Sequence, residues 1–582
     1  MRAGLPSLIY NTRELKMDTA LAIGGSLLAT AGAGYLLVKT LCPWLLVDIE
    51  YIQKVLPGAK RLERWNKEGV HAIDIFEQCV KKHPDKYILL FEDQKYTYKE
   101  MDSHANRIAN LSRQQLGLET GDTVILLQHN CPEFLFVVLG LMKQGVAVTL
   151  VNTSLRGRAL LHCINVTPSK ILIVGSDPSL LDSVVEIVED LPKIMVYVHG
   201  MADAALPADF KSLDSQLEAA STAPVPPSVR ASIGPNHPSV YIFTSGTTGL
   251  PKAAVVPSKR LLISSILSKA VGVCSDDVIY VTMPLFHSSA LIVGFFQCMW
   301  AGATCVLRKR FSRSQFFPDC RRYGVTVIIY IGEMCSADDT NHKVRVAIGN
   351  GLRQDIFSEF RTRFKIKHIA EIYGPTEGNV GYLNVLNKDG SIGRASPLLT
   401  KLFPVSFCKW DVENECLVRN SHGLCVPADI DEPGLCLGKI TPKSEFDGYQ
   451  GRKELTESKI VRDVLVKGDS YFNTGYEGRA GMATLALNRP WSADTEAESL
   501  QAILEHCERT LPGYAKPLFL RVARDDLEMT QTVKQTKITL KKQAYDPGVI
   551  DDPLFYLDKL QKSYLPLTKV VYADISGEKI PF

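Results

Sequence analysis

Tyr241–Ala253 reads YIFTSGTTGLPKA. Tyr241, Ile242 and Phe243 form a short apolar run of strand type, and Thr244, Ser245, Gly246, Thr247, Thr248 and Gly249 follow with no bulky side chain among them. Such a loop can close on an anion. Its glycines let backbone N–H groups point into one concavity, its hydroxyls add donors, and Lys252 adds a cation. The Walker arrangement does not fit, because Gly246 and Gly249 stand three apart and Lys252 lies between Pro251 and Ala253. The plain alternative is a Gly/Thr-rich surface turn, but a loop needing only flexibility would not require this ordered set of hydroxyls, glycines and a lysine. The stretch predicts a polyphosphate cradle that follows a strand.

Strand and helix patterns alternate on both sides of it. Upstream, helical YKEMDSHANRIANL (98–111) precedes strand DTVILLQ (122–128), helix PEFLFVVLGLMKQG (132–145), strand VAVTLV (146–151), helix RALLHCIN (158–165) and strand KILIVG (170–175), the rhythm of a doubly wound sheet. A proline-rich linker or surface loop is expected over 204–238. Downstream, DDVIYVTMPLFH (276–287) reads as a strand ending at His287, followed by the apolar helix SALIVGFFQCMWAG (289–302) and strand TCVLR (304–308). A His in that place, taken alone, is more often a satisfied structural group than a functional one. Strand KVRVAIGNG (343–351) and helix RQDIFSEFRTRF (353–364) lead to HIAEIYGPTEG (368–378), which sets Tyr373, Thr376 and Glu377 on one turn after a strand. A flat ring, a hydroxyl and a carboxylate there could stack a base, bond a phosphate and hold Mg²⁺.

The 582 residues exceed what one core usually supports, so two or more domains are expected. With 66 basic and 63 acidic side chains the charge is nearly balanced, and composition makes no case for a nucleic-acid partner. The 14 cysteines include no C-x-x-C and the 12 histidines no H-x-x-x-H, which argues for reduced thiols and against a zinc site. Any metal should be carried by carboxylate and phosphate. Asn110, Asn152 and Asn165 begin glycosylation sequons, read as chance matches in an ATP-using domain. Near the N-terminus, Thr19–Val38 holds 20 residues without a charge, about 30 Å as a helix and enough to span a bilayer core. Lys39, Pro43, Trp44 and Asp48 then read as a snorkelling cation, a helix stop and an interfacial aromatic. A secretory signal peptide ending in the small residues Ala31–Gly34 competes with this anchor reading.

Together TSGTTGLPK, PLFH, IGNG, YGPTEG and the near-terminal TVKQTK resemble the AMP-forming acyl-CoA synthetases of the fatty acid transport protein, or very long-chain acyl-CoA synthetase, family. YIGE, HKVRVAIGNGLR and EGRAGMA narrow the resemblance to that family. It implies an α/β chain: an N-terminal extension (1–17), a transmembrane anchor (18–48), a large domain of doubly wound sheets plus a β-barrel (49–475), and a small α+β C-terminal domain (476–582), truncated here. It further implies ATP, Mg²⁺ and CoA as cofactors and co-substrates, and activation of a fatty acid through acyl-AMP. By similarity, Thr244–Gly249 with Lys252 hold pyrophosphate, Tyr241 belongs to the cofactor-binding set, Asn350 and Gly351 border adenine, Tyr373 stacks on it, Thr376 meets phosphate and Glu377 holds Mg²⁺. His287 sits where the carboxylate enters, and Lys534 is the mobile-domain lysine of adenylation, with Lys537 close enough to compete. Expected partners are a long or very long-chain fatty acid, ATP, CoA, a membrane and, as an open option, a second copy of the chain. The compartment expected is the endoplasmic reticulum, with plasma membrane or peroxisome as alternatives.

The chain departs from the family after Tyr471–Gly475. There YFNTG runs directly into Tyr476–Arg479, where the family continues with a ribose-binding Asp and a hinge Asp-Arg pair; Asp469, lying before the run, does not replace the ribose ligand. A second, smaller gap follows Cys335. The small domain is therefore expected to lack partner elements and to expose or pack poorly its apolar faces.

Overall fold

The computed structural model describes residues 39–576, apart from 245–249, 332–339, 353–355, 412–415, 430–431, 476–481, 487–495, 511–516, 524–542, 559–560 and isolated positions between them. The Thr19–Val38 segment and Lys534 thus lie outside the described residues. Among the described residues, no helix is long and apolar enough to cross a membrane.

The chain divides into two compact units, the first comprising 1–405 and 441–458, the second 406–440 and 459–582. The first is built on two sheets. One has seven strands in the order Phe210–Ser212, Met195–His199, Ile171–Gly175, Thr123–Leu127, Ala147–Leu150, β1 (Pro238–Thr244) and β2 (Lys252–Pro257). All its ladders are parallel except the β1–β2 hairpin at the edge. The other has eight strands, including Val278–Val281, Val327–Ile331, β3 (Val346–Asn350) and β4 (His368–Tyr373), parallel inside and closed at both edges by short antiparallel strands. Parallel strands covered on both faces read as continuous apolar runs, which is why ILIVG and VIIYI are buried throughout. One apolar core joins the sheets, with Val124 and Ile242 from one, Ile279 and Ile329 from the other, and Phe134–Val138 from the helix between.

The helices have local reasons to start and stop. Tyr98–Gln114 opens on a capping box: the Thr97 hydroxyl accepts the Glu100 N–H at 3.1 Å, and the Glu100 carboxylate accepts the Thr97 N–H at 2.8 Å. Pro132–Gln144 has Pro at its first position and ends on left-handed Gly145.

Several sequence expectations are corrected. The helical stretch 39–41 stops at Cys42 as expected, but Pro43 also starts α1 (Pro43–Lys67), as a residue with no N–H to lose can. Fully buried Asp48 binds Arg394 Nε at 2.5 Å and the Ser396 hydroxyl at 2.6 Å, so residues 43–48, assigned to the anchor, belong to the folded unit. The linker expected over 204–238 contains the edge strand Phe210–Ser212 and the helix Asp214–Ala219, held by buried Phe210 and Leu213. The strand predicted to reach His287 stops at Val281, before Pro284, which has no N–H for a ladder. The helix after it is a π-helix (Ser289–Phe296) continued by an α-helical turn (Gln297–Ala301).

The second unit holds two sheets. Where a β-barrel was expected, five strands form a half-barrel sheet in the order Cys416–Leu417, Val405–Asp411, Gly434–Lys439, Ser470–Asn473, Ile460–Arg462, with no ladder between its two end strands among the described residues. The other sheet pairs Met482–Ala486 parallel with Phe519–Ala523, followed by antiparallel Leu554–Asp558 and Ser563–Pro566. Its apolar face is packed: Leu500 and Leu504 of the helix Glu496–Thr510 are buried with Leu520, Val522, Phe555 and Tyr564. Among the described residues this one apolar face is covered by the helix, while Val549 and Val570 of the same domain stand exposed.

Candidate active site

The β1–β2 hairpin sets Thr244 directly opposite Lys252, at the mouth of the loop 245–249. Ser245, Gly246, Thr247, Thr248 and Gly249 are outside the described residues. Tyr241, three residues earlier on β1, is buried opposite Val255, and burial raises its phenol pKa. Lys252 is itself buried, and its ammonium lies 5.6 Å from the ring centroid of Tyr449.

Tyr449 comes from 441–458, which returns to the first unit alongside β2: Gln450 N–H donates to Ala253 O at 2.9 Å and Val255 N–H to Gly448 O at 3.1 Å. The Tyr449 hydroxyl donates to Glu377 Oε1 at 2.6 Å. Burial and the adjoining Glu377 carboxylate push that phenol far above its ordinary pKa, opposed by a hydrogen bond with Thr244. One ring therefore gathers Thr244, Lys252 and Glu377. The other Glu377 oxygen takes no hydrogen bond among the described residues.

Glu377 and Thr376 sit on the turn that follows β4. Thr376 Oγ1 lies 3.1 Å from the Ser288 hydroxyl, and its carbonyl accepts Arg260 Nη1 at 2.6 Å. Arg260 is held in turn by Asp447 at 2.8 Å; burial pulls its pKa down, and Asp447 and Glu377 oppose that. His287, next to Ser288, receives the Ser289 N–H on Nδ1 at 3.3 Å, with the Ser289 hydroxyl at 2.8 Å from the same nitrogen.

Tyr373 ends β4, and Asn350 ends the neighbouring parallel strand β3, so both reach the same carboxyl edge. The glycines of IGNG have separate reasons. A Cβ on Gly349 would stand 2.1 Å from Tyr330 O, and Gly351 has φ +85°, a left-handed value that disfavours other residues. Buried Glu371 clamps this turn: its carboxylate accepts the Gly351 N–H at 3.1 Å, the Leu352 N–H at 3.2 Å and the Tyr330 hydroxyl at 2.5 Å. Burial raises the Glu371 pKa against these donors.

Sequence reasoning missed Tyr449, Glu371, Arg260 and Asp447. Glu371 left a signal, a carboxylate inside the apolar strand HIAEIY. Tyr449 left little beyond a Gly-Tyr pair after Glu445 and Asp447.

Among the described residues no cluster of three or more His, Cys, Asp or Glu could hold a metal. A lone carboxylate with one open oxygen suits Mg²⁺, which is commonly held by one or two carboxylates plus substrate phosphates. Glu377 is the residue that fits.

A model of the AMP-binding enzyme family matches residues 76–414. Long-chain fatty acid transport protein 6 of Mus musculus is 38% identical over 95% of this chain and 99% of its own length. The chain belongs to the long-chain fatty acid transport protein family of AMP-binding enzymes. Another family member, long-chain fatty acid transport protein 2 of Rattus norvegicus, is 35% identical over 94% of this chain and 98% of its own. The alignment with the mouse family member runs to 624 positions, more than the 582 residues of the chain, so that relative carries residues this chain lacks. The fold is shared with the crystal structure of an anthranilate CoA ligase in complex with anthranoyl-AMP, at TM-score 0.67 and 18% identity, covering 82% of this chain and 98% of that one.

Proposed function

We propose that the chain activates long or very long-chain fatty acids: the carboxylate attacks the α-phosphorus of ATP, releasing pyrophosphate and forming acyl-AMP, and the CoA thiol then displaces AMP. The observation that carries this reading is the convergence of Thr244, Lys252 and Glu377 on Tyr449, which assembles phosphate and cation ligands from separate parts of the chain. A carboxylate is already a competent nucleophile, so the protein's task is positioning and charge neutralisation.

In this reading the loop 244–249 and Lys252 hold the β- and γ-phosphates. Asn350 and Gly351, preset by Glu371, border the adenine on which Tyr373 stacks. Thr376 meets the α-phosphate, His287 guides the fatty carboxylate, and Lys534 serves the adenylation step. Mg²⁺, held by Glu377 and the phosphates, would supply charge neutralisation. Uptake of the fatty acid would follow from trapping it as the CoA ester at a membrane reached through Thr19–Val38.

The alternative is a membrane-bound fatty acid carrier or regulator with impaired catalysis. It is favoured by the junction at Gly475 and by the additional residues of the relative. Conversion of a long-chain fatty acid, ATP and CoA to acyl-CoA, abolished by EDTA, supports the enzyme. Fatty acid binding without turnover supports the carrier.

A further inference from the structure

Lys252 and Glu377 carry opposite charges on either side of one phenol, yet no ion pair joins them among the described residues. A buried ammonium and a carboxylate facing one cavity attract strongly, and if they closed on each other each would be neutralised before a phosphate or a cation arrived. Tyr449 blocks that collapse: its ring faces the ammonium while its hydroxyl satisfies one carboxylate oxygen, and the other takes no hydrogen bond among the described residues.

The backbone that carries the ring is placed by contacts that involve neither charge. Its own N–H donates to Thr456 Oγ1 at 3.1 Å, and the residues flanking it are bonded to β2 on both sides. The segment is therefore set without a ligand, and the hydroxyl bond to Glu377 orients the ring on it, the condition under which a spacer lowers the reorganisation needed for binding.

We infer that Tyr449 is a positioning residue for the nucleotide site: it holds the phosphate lysine and the metal carboxylate apart and aims the carboxylate at a divalent cation. The inference rests on the nucleotide reading above. It separates two contributions within one side chain. The hydroxyl acts on the cation, because carboxylates that ligate metals depend on the hydrogen bonds that orient them. The ring acts on the phosphate lysine.

The test uses the full chain and two variants, Tyr449→Phe and Tyr449→Leu, titrated calorimetrically with ATP plus Mg²⁺ and with ATP plus EDTA, with thermal midpoints recorded for each protein. Tyr449→Phe keeps the ring and should weaken ATP plus Mg²⁺ about ten-fold while changing metal-free ATP by less than about two-fold, with a midpoint close to the parent's. Tyr449→Leu should weaken both ligands. Equal weakening of both ligands by Tyr449→Phe, or no change in either, would overturn the inference, since a merely structural tyrosine has no reason to distinguish them. If Tyr449→Leu fails to fold, Tyr449→Phe alone decides. A parent chain that binds ATP plus Mg²⁺ in neither assay overturns the nucleotide reading itself, and this inference with it.

Discussion

Two carboxylates, one in each compact unit, were both weighed as nucleotide ligands, and their surroundings differ. Glu377 takes a single hydrogen bond, from a side chain 72 residues away, and keeps an oxygen open among the described residues. Asp469 is saturated by its own turn: its oxygens accept the N–H groups of Val464 at 2.6 Å, Leu465 at 3.1 Å and Val466 at 3.0 Å. A carboxylate used up by adjacent backbone shapes a loop, and one held by a distant side chain with valence to spare is available for chemistry. The comparison supports the expectation that Asp469 does not stand in for a ribose ligand.

The sharpest way to break this contrast is to exchange the functional groups. Glu377→Gln keeps the shape and removes the charge, and fatty-acid activation should fall by about a hundredfold or more, the scale seen when one preorganised electrostatic contact is removed. Its thermal midpoint should barely move. Asp469→Ala should behave in the opposite way. Loss of three charge-assisted hydrogen bonds in a partly exposed turn should cost about 1–2 kcal/mol in chemical denaturation, with nucleotide affinity unchanged. If Asp469→Ala abolished ATP binding in a folded protein, the distinction between the two carboxylates would fail.

The parts legible in the sequence are those in which the chemistry is contiguous. YIF marks the strand that leads into the phosphate loop and YGPTEG places Thr376 and Glu377 on one turn without help from elsewhere, whereas the return strand that sets Lys252 opposite Thr244 was not read. Tyr449 was hidden because its meaning comes from a partner 72 residues earlier and from pairing beside β2, neither of which leaves a periodic signal. The overrun of the strand toward His287 has a local cause: apolar character continues through Met283 and Leu285 while the ladder stops before Pro284. Which strands build the sheets of the second unit was not legible for a different reason. The extent of a sheet depends on which distant strands join it, as Leu554–Asp558 and Ser563–Pro566 show by extending the sheet of Phe519–Ala523 through antiparallel ladders.

A milder perturbation probes how the base side of the site is preset. Tyr330→Phe removes one of three donors to buried Glu371. It should lower stability by about 1–2 kcal/mol and weaken ATP only a few-fold, because the Gly351 and Leu352 N–H groups still hold the turn. A larger loss of affinity than of stability would show that Glu371 does more than hold the turn.

The measurement that bears most directly on the whole account is fatty-acid-dependent exchange of labelled pyrophosphate into ATP, made on the full chain and on Glu377→Gln at equal folded concentration. It reads the first half-reaction alone and does not require CoA. The account predicts exchange that needs both a long-chain fatty acid and Mg²⁺ and is lost in Glu377→Gln. Fatty acid binding in a folded chain with no exchange above that of the variant would contradict it and leave the carrier reading in its place.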